Sequence, residues 1–300
     1  MTSVSASVAA DRVLAIVNPA AGNGAGQKLS ARIARTFRDA GLRVEIERTP
    51  AQGEGARLAR EAAEAGYGLV IAVGGDGTAN ELANGLVGSR TALALYPIGA
   101  GNDLARTLGY PRRRRDVPRF IRTARRRTMD VGEANGRVFL NAAGVGIDGH
   151  VAARVLATVR VVGPALGWLA GALVGIATYQ PIPMRVLVDG EILSGRFLTV
   201  VAANGQYFGG GMRVAPQAQL DDGQLDVVLA GDLGRRESLV ALAKLYRGTH
   251  VNGVTITSRR ARAVEIDLDR PFPSQLDGEV THVQRLSIRA RPHALEVVAR

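Results

Sequence analysis

The sequence contains no cysteine, which excludes disulfides and any thiolate nucleophile and agrees with a reducing compartment. Aromatic residues make up only 4% of it, too few for an exposed platform on which bases could stack. The four histidines, His150, His250, His282 and His293, lack any zinc-ligand spacing. No Walker lysine motif is present, and no dinucleotide fingerprint. Gly22, Gly24 and Gly26 are wrongly spaced, and Asn80 stands where a third glycine would follow Gly75-Asp76-Gly77. Residues 1–10 have no charged n-region leading into a strong apolar run, so they read as a loose leader. Acidic residues are outnumbered, and the formal net charge of +11 favours an anionic partner such as a nucleotide or a membrane surface.

What is present is organised around Gly74-Gly75-Asp76-Gly77-Thr78. This stretch follows Leu69–Val73, five apolar residues without alternation, the pattern of a strand covered on both faces in a parallel sheet. Its glycines let the backbone turn tightly and approach a ligand. Thr78 is expected to cap the next helix, whose free N–H groups would suit a phosphate. Strands are predicted at Arg12–Val17, Leu42–Arg48, Leu69–Val73 and Thr91–Tyr96. They alternate with helices carrying Leu29, Ile33 and Phe37, then Ala56–Ala65, then Ala79–Leu86. The Gly-rich loops after Val17, Val73 and Tyr96 would then gather at one sheet edge, where α/β folds bind ligands. Lacking a Walker lysine, that edge would cradle phosphates with backbone amides and small polar side chains.

Beyond Asp130 the pattern changes to short strands at Arg137–Leu140, Met184–Val188, Arg196–Ala202, Leu225–Leu229 and Val264–Asp269, with turns at Asp189-Gly190 and Asp222-Gly223. Between Val161 and Met184 there is no ionisable charge, yet Gly163, Pro164, Gly167, Gly171, Gly175, Pro181 and Pro183 interrupt the stretch. It reads as a buried helix, or one lining an apolar site, rather than a membrane span. Arg112–Arg127 holds nine arginines against Asp116 alone. Such a run is a solvated connector or a contact for anionic headgroups; no nucleic-acid-binding motif accompanies it.

Several motifs recur in a characteristic order: Asn18-Pro19-x-Ala21-Gly22, Gly74–Thr78, Pro97-x-Gly99-x-x-Asn102-Asp103, Asn204–Gly211, Leu220-Asp221-Asp222-Gly223 and Leu276-Asp277-Gly278-Glu279. Together they resemble the diacylglycerol kinase catalytic-domain family, in particular its soluble bacterial lipid kinases, which are related to sphingosine kinases and NAD kinase. The resemblance implies an α/β nucleotide-binding domain (NAD kinase/phosphofructokinase-like) at 1–130, completed by 291–300. It implies an antiparallel β-sandwich domain at 131–290, with a helical insertion, the lipid substrate site and a magnesium site.

The implied reaction moves the ATP γ-phosphoryl group to a lipid hydroxyl in an inter-domain cleft, with diacylglycerol giving phosphatidic acid as the leading case. Carried over by position, Asn18, Thr49, Gly74, Gly75, Asp76, Gly77, Thr78, Ala79, Asn80, Gly99, Ala100 and Gly101 are nucleotide-site candidates. Asp76 would organise a cation near the phosphates. Ala100 replaces a threonine common in the family. Mg²⁺ would be held by Asp222, the backbone carbonyls of Gln219 and Gln224, and nearby Asp221. If Leu276–Glu279 is extended, Asp277 and Glu279 share a face, one taking the hydroxyl proton and the other placing a donor or a metal-bound water. The resemblance favours Asp277 as base, although the residues alone do not separate the two roles. The other readings are an NAD kinase and a non-catalytic nucleotide-binding protein docked on anionic membrane. The expected partners are a lipid substrate and an anionic membrane surface, with no nucleic acid, and a homodimer is a further expectation. The expected location is cytoplasmic, peripheral at the inner face of the membrane.

Overall fold

A computed structural model describes residues 12–152, 164–251 and 253–300. The chain divides into two compact units, one holding the residues up to Met129 together with His293–Arg300, the other Asp130–Pro292.

In the first unit, β1 (Val13–Val17), β2 (Glu45–Arg48), β3 (Leu69–Gly74) and β4 (Ala92–Pro97) are parallel, in the order β4-β3-β1-β2. Val297, near the chain end, pairs in parallel with Leu93 beside β4. Every residue of β1 and β3 is buried, which is why neither alternates. The edge strand β2 is shorter than its predicted span and mostly exposed, as its charged residues require. Helices α1 (Ala21–Asp39), α2 (Gly55–Glu64), α3 (Asp76–Leu86), α4 (Asp103–Thr107) and α5 (Val117–Thr123) complete the unit. Ile33 and Phe37 are buried as predicted, Phe37 with its ring centroid 5.6 Å from that of Tyr96. The Leu29 side chain lies outside the described residues. Gly85 allows α2 and α3 to touch, since a Cβ there would sit 2.1 Å from the Ala56 carbonyl oxygen.

Thr78 does not cap α3. The helix starts at Asp76, three residues earlier than expected, with Gly75 at the N-cap, and Thr78 folds back over Gly74. A Cβ on Gly74 would lie 2.4 Å from the Thr78 Cβ, so the glycine makes that packing available. The arginine run forms no single element. Val117, Pro118 and Ile121 of α5 are buried, whereas Arg112–Arg115, Arg119, Arg122, Arg125 and Arg127 are exposed.

The second unit is an antiparallel β-sandwich. It contains the later part of β5 (Arg125–Ala134), β6 (Arg137–Phe139), β7 (Ala142–Gly146), β8 (Ile182–Val188), β9 (Glu191–Phe197), β10 (Thr199–Ala203), β11 (Leu225–Ala230), β12 (Ile256–Ala261), β13 (Ala263–Leu276) and most of β14 (Glu279–Ala299). The order β12-β11-β10-β7-β13-β14 forms the main sheet, and the β8–β9 hairpin also pairs with β13. The predicted strand at Arg196–Ala202 is two strands, broken at Leu198. Helix α6 (Pro164–Thr178) falls within the uncharged stretch, and α7 (Arg235–Leu245) follows β11. Ile176 of α6 is buried, while Leu169, Leu173 and Val174 are exposed, so the helix is not uniformly interior. Among the described residues no helix is long and apolar enough to cross a membrane.

One expectation about geometry is overturned here. Leu276–Glu279 is not extended: Asp277 (φ 46°) and Gly278 (φ 90°) form the two-residue turn between β13 and β14. Asp-Gly at that position is the chemistry such a turn selects, and it removes the shared strand face of Asp277 and Glu279.

Candidate active site

In the first unit the nucleotide candidates meet at the carboxyl ends of the parallel strands. The Asn18 amide donates to the Thr78 hydroxyl oxygen (3.0 Å), and its side-chain oxygen accepts from the Ala20 N–H (3.0 Å). Thr49 is buried beyond β2, its N–H donating to the Val17 carbonyl (3.0 Å). The loops after β3 and β4 cross at Gly75 and Gly99, where a Cβ on Gly99 would lie 2.4 Å from the Gly75 Cα. Asn102, in the left-handed region (φ 50°), donates its amide to the Gly99 carbonyl (2.8 Å). Ala100 and Gly77 are exposed, Ala79 and Asn80 buried, and the Asn80 side-chain oxygen accepts from Asn84 (3.1 Å).

Asp76 joins the two loops by accepting the Leu104 N–H (3.1 Å). Burial pushes its carboxyl above the usual range, opposed by the N–H groups of Leu104, Asp103 and Asn102. A cation organised by Asp76 would share the carboxylate with those donors. A raised folded-state value means that Asp76 contributes stability below the unfolded carboxylate range, near pH ~4, and loses it as pH rises through the folded value. The midpoint difference between Asp76→Asn and wild type is therefore expected to move in the variant's favour from pH 4 to pH 8, while turnover collapses. Unfolding scans at the two pH values check it.

In the second unit the Asp277 carboxylate lies in a nest of backbone donors. One oxygen accepts from Leu140 N–H (2.7 Å), the other from Asn141 (2.8 Å) and Ala142 (3.0 Å). Glu279 is paired with Arg137 at the surface.

Asn204, within a sequence motif yet given no role from sequence, is the buried hub of this region. Its amide donates to the carbonyls of Asp130 (3.0 Å) and Leu140 (2.9 Å), and its N–H to that of Asn141 (2.8 Å). Asp130 in turn accepts the Gly223 N–H (2.6 Å) and donates its own N–H to Leu220 (2.6 Å). The Asp277 nest and the Leu220–Gly223 turn thus share one buried polar network. Asn204→Leu should cost about 1–3 kcal/mol by stranding those carbonyls, measurable by chemical denaturation.

The Asp222 turn has a donor set suited to a hard cation. One carboxylate oxygen accepts the Gln224 N–H (3.0 Å); the other is buried without a hydrogen bond, with the Arg260 guanidinium 3.6 Å away. Burial pushes the neighbouring Asp226 carboxyl upward; Arg260 opposes the rise and the Asp222 charge adds to it. Among the described residues, no cluster of three or more His, Cys, Asp or Glu could hold a metal. A cation here would rely on Asp222 and backbone carbonyls such as those of Gln219 and Gln224, with exposed Asp221 alongside.

Residues 12–134 match the model of the diacylglycerol kinase catalytic domain, and residues 141–299 that of the YegS C-terminal NAD kinase beta sandwich-like domain. The chain is 30% identical to the diacylglycerol kinase of Bacillus subtilis over 276 residues, 89% of each protein. It is 33% identical to the "Probable lipid kinase YegS-like" of Pseudomonas aeruginosa, covering 96% of this chain and 94% of the other. The crystal structure of a diacylglycerol kinase from Bacillus anthracis superposes with a TM-score of 0.74 at 25% identity, covering 97% of both chains. With both units matched in order along their length, the chain belongs to the diacylglycerol kinase catalytic-domain family, in its YegS-like branch.

Proposed function

We propose that the protein is an ATP-dependent lipid kinase that phosphorylates the free hydroxyl of diacylglycerol to give phosphatidic acid. The observation that carries this reading is similarity to the Bacillus subtilis diacylglycerol kinase across 89% of the chain. The acceptor hydroxyl oxygen forms a bond to the γ-phosphorus as the bond from phosphorus to the ADP oxygen breaks. The hydroxyl proton passes to a carboxylate, for which Asp277 is the choice. Backbone amides of Gly74–Ala79 and Gly99–Gly101 bind the phosphates, with Asn18 and Thr49 beside them. Asp76 fastens the two phosphate loops to one another. Glu279, held by Arg137, is a neighbour of the turn rather than a second base.

Asp222 and the backbone carbonyls of Gln219 and Gln224 would hold a magnesium ion, which would supply positive charge and ordered water there. Asp222→Ala should abolish magnesium-dependent thermal stabilisation in the absence of ATP and lower turnover, with secondary structure unchanged. An equal magnesium response in mutant and wild type removes Asp222 from the ligand set. The exposed arginines of Arg112–Arg115 offer charge to an anionic bilayer. Neutralising all four should weaken sedimentation with phosphatidylglycerol vesicles at least fivefold at low salt, while ATP affinity is retained. Salt-insensitive, unchanged sedimentation argues against that contact.

Labelled ATP incubated with diacylglycerol, ceramide, sphingosine and NAD tests the assignment. Labelled phosphatidic acid is expected. Labelled NADP alone would make the protein an NAD kinase, and no labelled product would make it a nucleotide-binding protein without catalysis.

A further inference from the structure

In a two-residue hairpin turn the N–H groups of both central residues lie outside the strand ladder and must find partners elsewhere. In the turn between β13 and β14 the protein supplies both. The Asp277 N–H donates to the Ala142 carbonyl (2.9 Å), on the same edge of β7 whose N–H groups hold the Asp277 carboxylate. The Gly278 N–H donates to the side-chain oxygen of Gln275 (3.1 Å). Gln275 lies on β13, two residues before Asp277, and is fully buried. None of the catalytic assignments above uses it.

A glutamine amide accepts on one side and donates on the other, and a half-turn about its last bond would set its NH₂ against the Gly278 N–H. Asp148 settles the orientation. One of its oxygens accepts the Gln275 amide (3.2 Å) and the other the Thr199 hydroxyl (2.7 Å). Burial pushes the Asp148 carboxyl above the ordinary range, opposed by Thr199, Gln275 and the N–H groups of Gly149 and of Asp148 itself. With donors gathered around it, this carboxyl accepts from the Gln275 NH₂ and leaves the Gln275 Oε1 for Gly278. The sheet register provides the room. Gln275 stands opposite Gly144 in the β7–β13 pair, and a Cβ on Gly144 would lie 2.4 Å from the Asp148 Oδ2. A leucine would satisfy the apolar surroundings of position 275 but would strand the Gly278 N–H and release that end of the turn.

We propose that Gln275 is a positioning residue for phosphoryl transfer: locked in one amide orientation by Asp148, it fixes the Gly278 end of the turn and with it the place of the Asp277 carboxylate. The inference rests on the lipid-kinase reading, with Asp277 as base, and adds the side chain that holds the base in register. The backbone nest of β7 holds the carboxylate itself; Gln275 holds the backbone that carries it. Both are needed, because a displacement near 1 Å at a reacting group costs about 10²-fold in rate.

The test uses 1,2-dioctanoylglycerol in mixed micelles and the full chain. Gln275→Leu should lower kcat at least tenfold, with KM for dioctanoylglycerol and for ATP within twofold. Gln275→Glu keeps an acceptor for Gly278 but sets a second carboxyl against Asp148, and its kcat should fall at least fivefold. Combining it with Asp148→Asn exchanges the amide and the carboxylate. The introduced asparagine still accepts from Thr199 and donates to the introduced glutamate, whose other oxygen accepts the Gly278 N–H. The double variant should return kcat to within threefold of wild type. A Gln275→Leu enzyme with a lowered thermal midpoint but unchanged kcat per folded molecule overturns the positioning role. If Gln275→Leu does not fold, the exchange decides: a double variant no faster than Gln275→Glu alone overturns it as well. Both results leave the lipid-kinase reading intact where the wild type phosphorylates dioctanoylglycerol. A wild type that phosphorylates only NAD overturns that reading instead.

Discussion

Asp277→Asn is expected to lower kcat for diacylglycerol by about 10²–10⁴, the usual contribution of a positioned general base, with ATP affinity within twofold. Asparagine keeps one oxygen and places an NH₂ where a carboxylate oxygen now accepts a backbone N–H. Leu140, Asn141 and Ala142 all donate to that carboxylate, so at least one would face a donor instead of an acceptor. A purely structural Asp277 would show this as lost stability with turnover falling in proportion. A base loses turnover far beyond any change in the unfolding midpoint. Steady-state kinetics, nucleotide titration and a denaturation curve on the same preparation separate the two.

Gly99→Ala should weaken ATP binding and lower turnover by about 10²-fold, because displacements near 1 Å at a positioned site cost that much in rate. The added Cβ would meet the Gly75 Cα at 2.4 Å, which is backbone and has no rotamer to escape into. Ordinary contact requires the two phosphate loops to separate by about 1 Å. Gly77→Ala is the control for folding, since a Cβ there meets nothing within 4 Å. It should leave the unfolding midpoint within a few degrees of wild type, while Gly99→Ala lowers it as well as nucleotide affinity. Calorimetric ATP titration of both variants gives the comparison.

The parallel sheet was legible because burial on both faces leaves its mark directly on composition, as in Leu69–Val73. The second unit was legible only in part. Ala142–Gly146 is made of alanine, glycine and one valine, and its small residues serve close packing, since Cβ atoms on Gly144 and Gly146 would collide with side-chain or backbone atoms. Nothing in local propensity marks such a strand. The Asp277 turn misled for a different reason. Leu-Asp-Gly-Glu reads equally as an extended segment and as a hairpin turn, and only the pairing of Leu276 with Glu279 decides between them.

Long-range polar roles were the least legible. Asn204 bridges carbonyls 64 and 74 residues away, and Asp148 meets Gln275 across 127 residues. Sequence spacing carries no trace of either partnership. A usable clue for Asp148 would have been an aspartate closing the small-residue run Ala142–Gly146, where neighbours that small leave a buried position for it.

The central claim is tested most directly by supplying γ-labelled ATP, magnesium and diacylglycerol to the purified wild-type protein and resolving the products. The account predicts labelled phosphatidic acid, formed in proportion to enzyme and reduced at least a hundredfold by Asp277→Asn. Label recovered only in NADP, or phosphatidic acid formed equally well by Asp277→Asn, would contradict it.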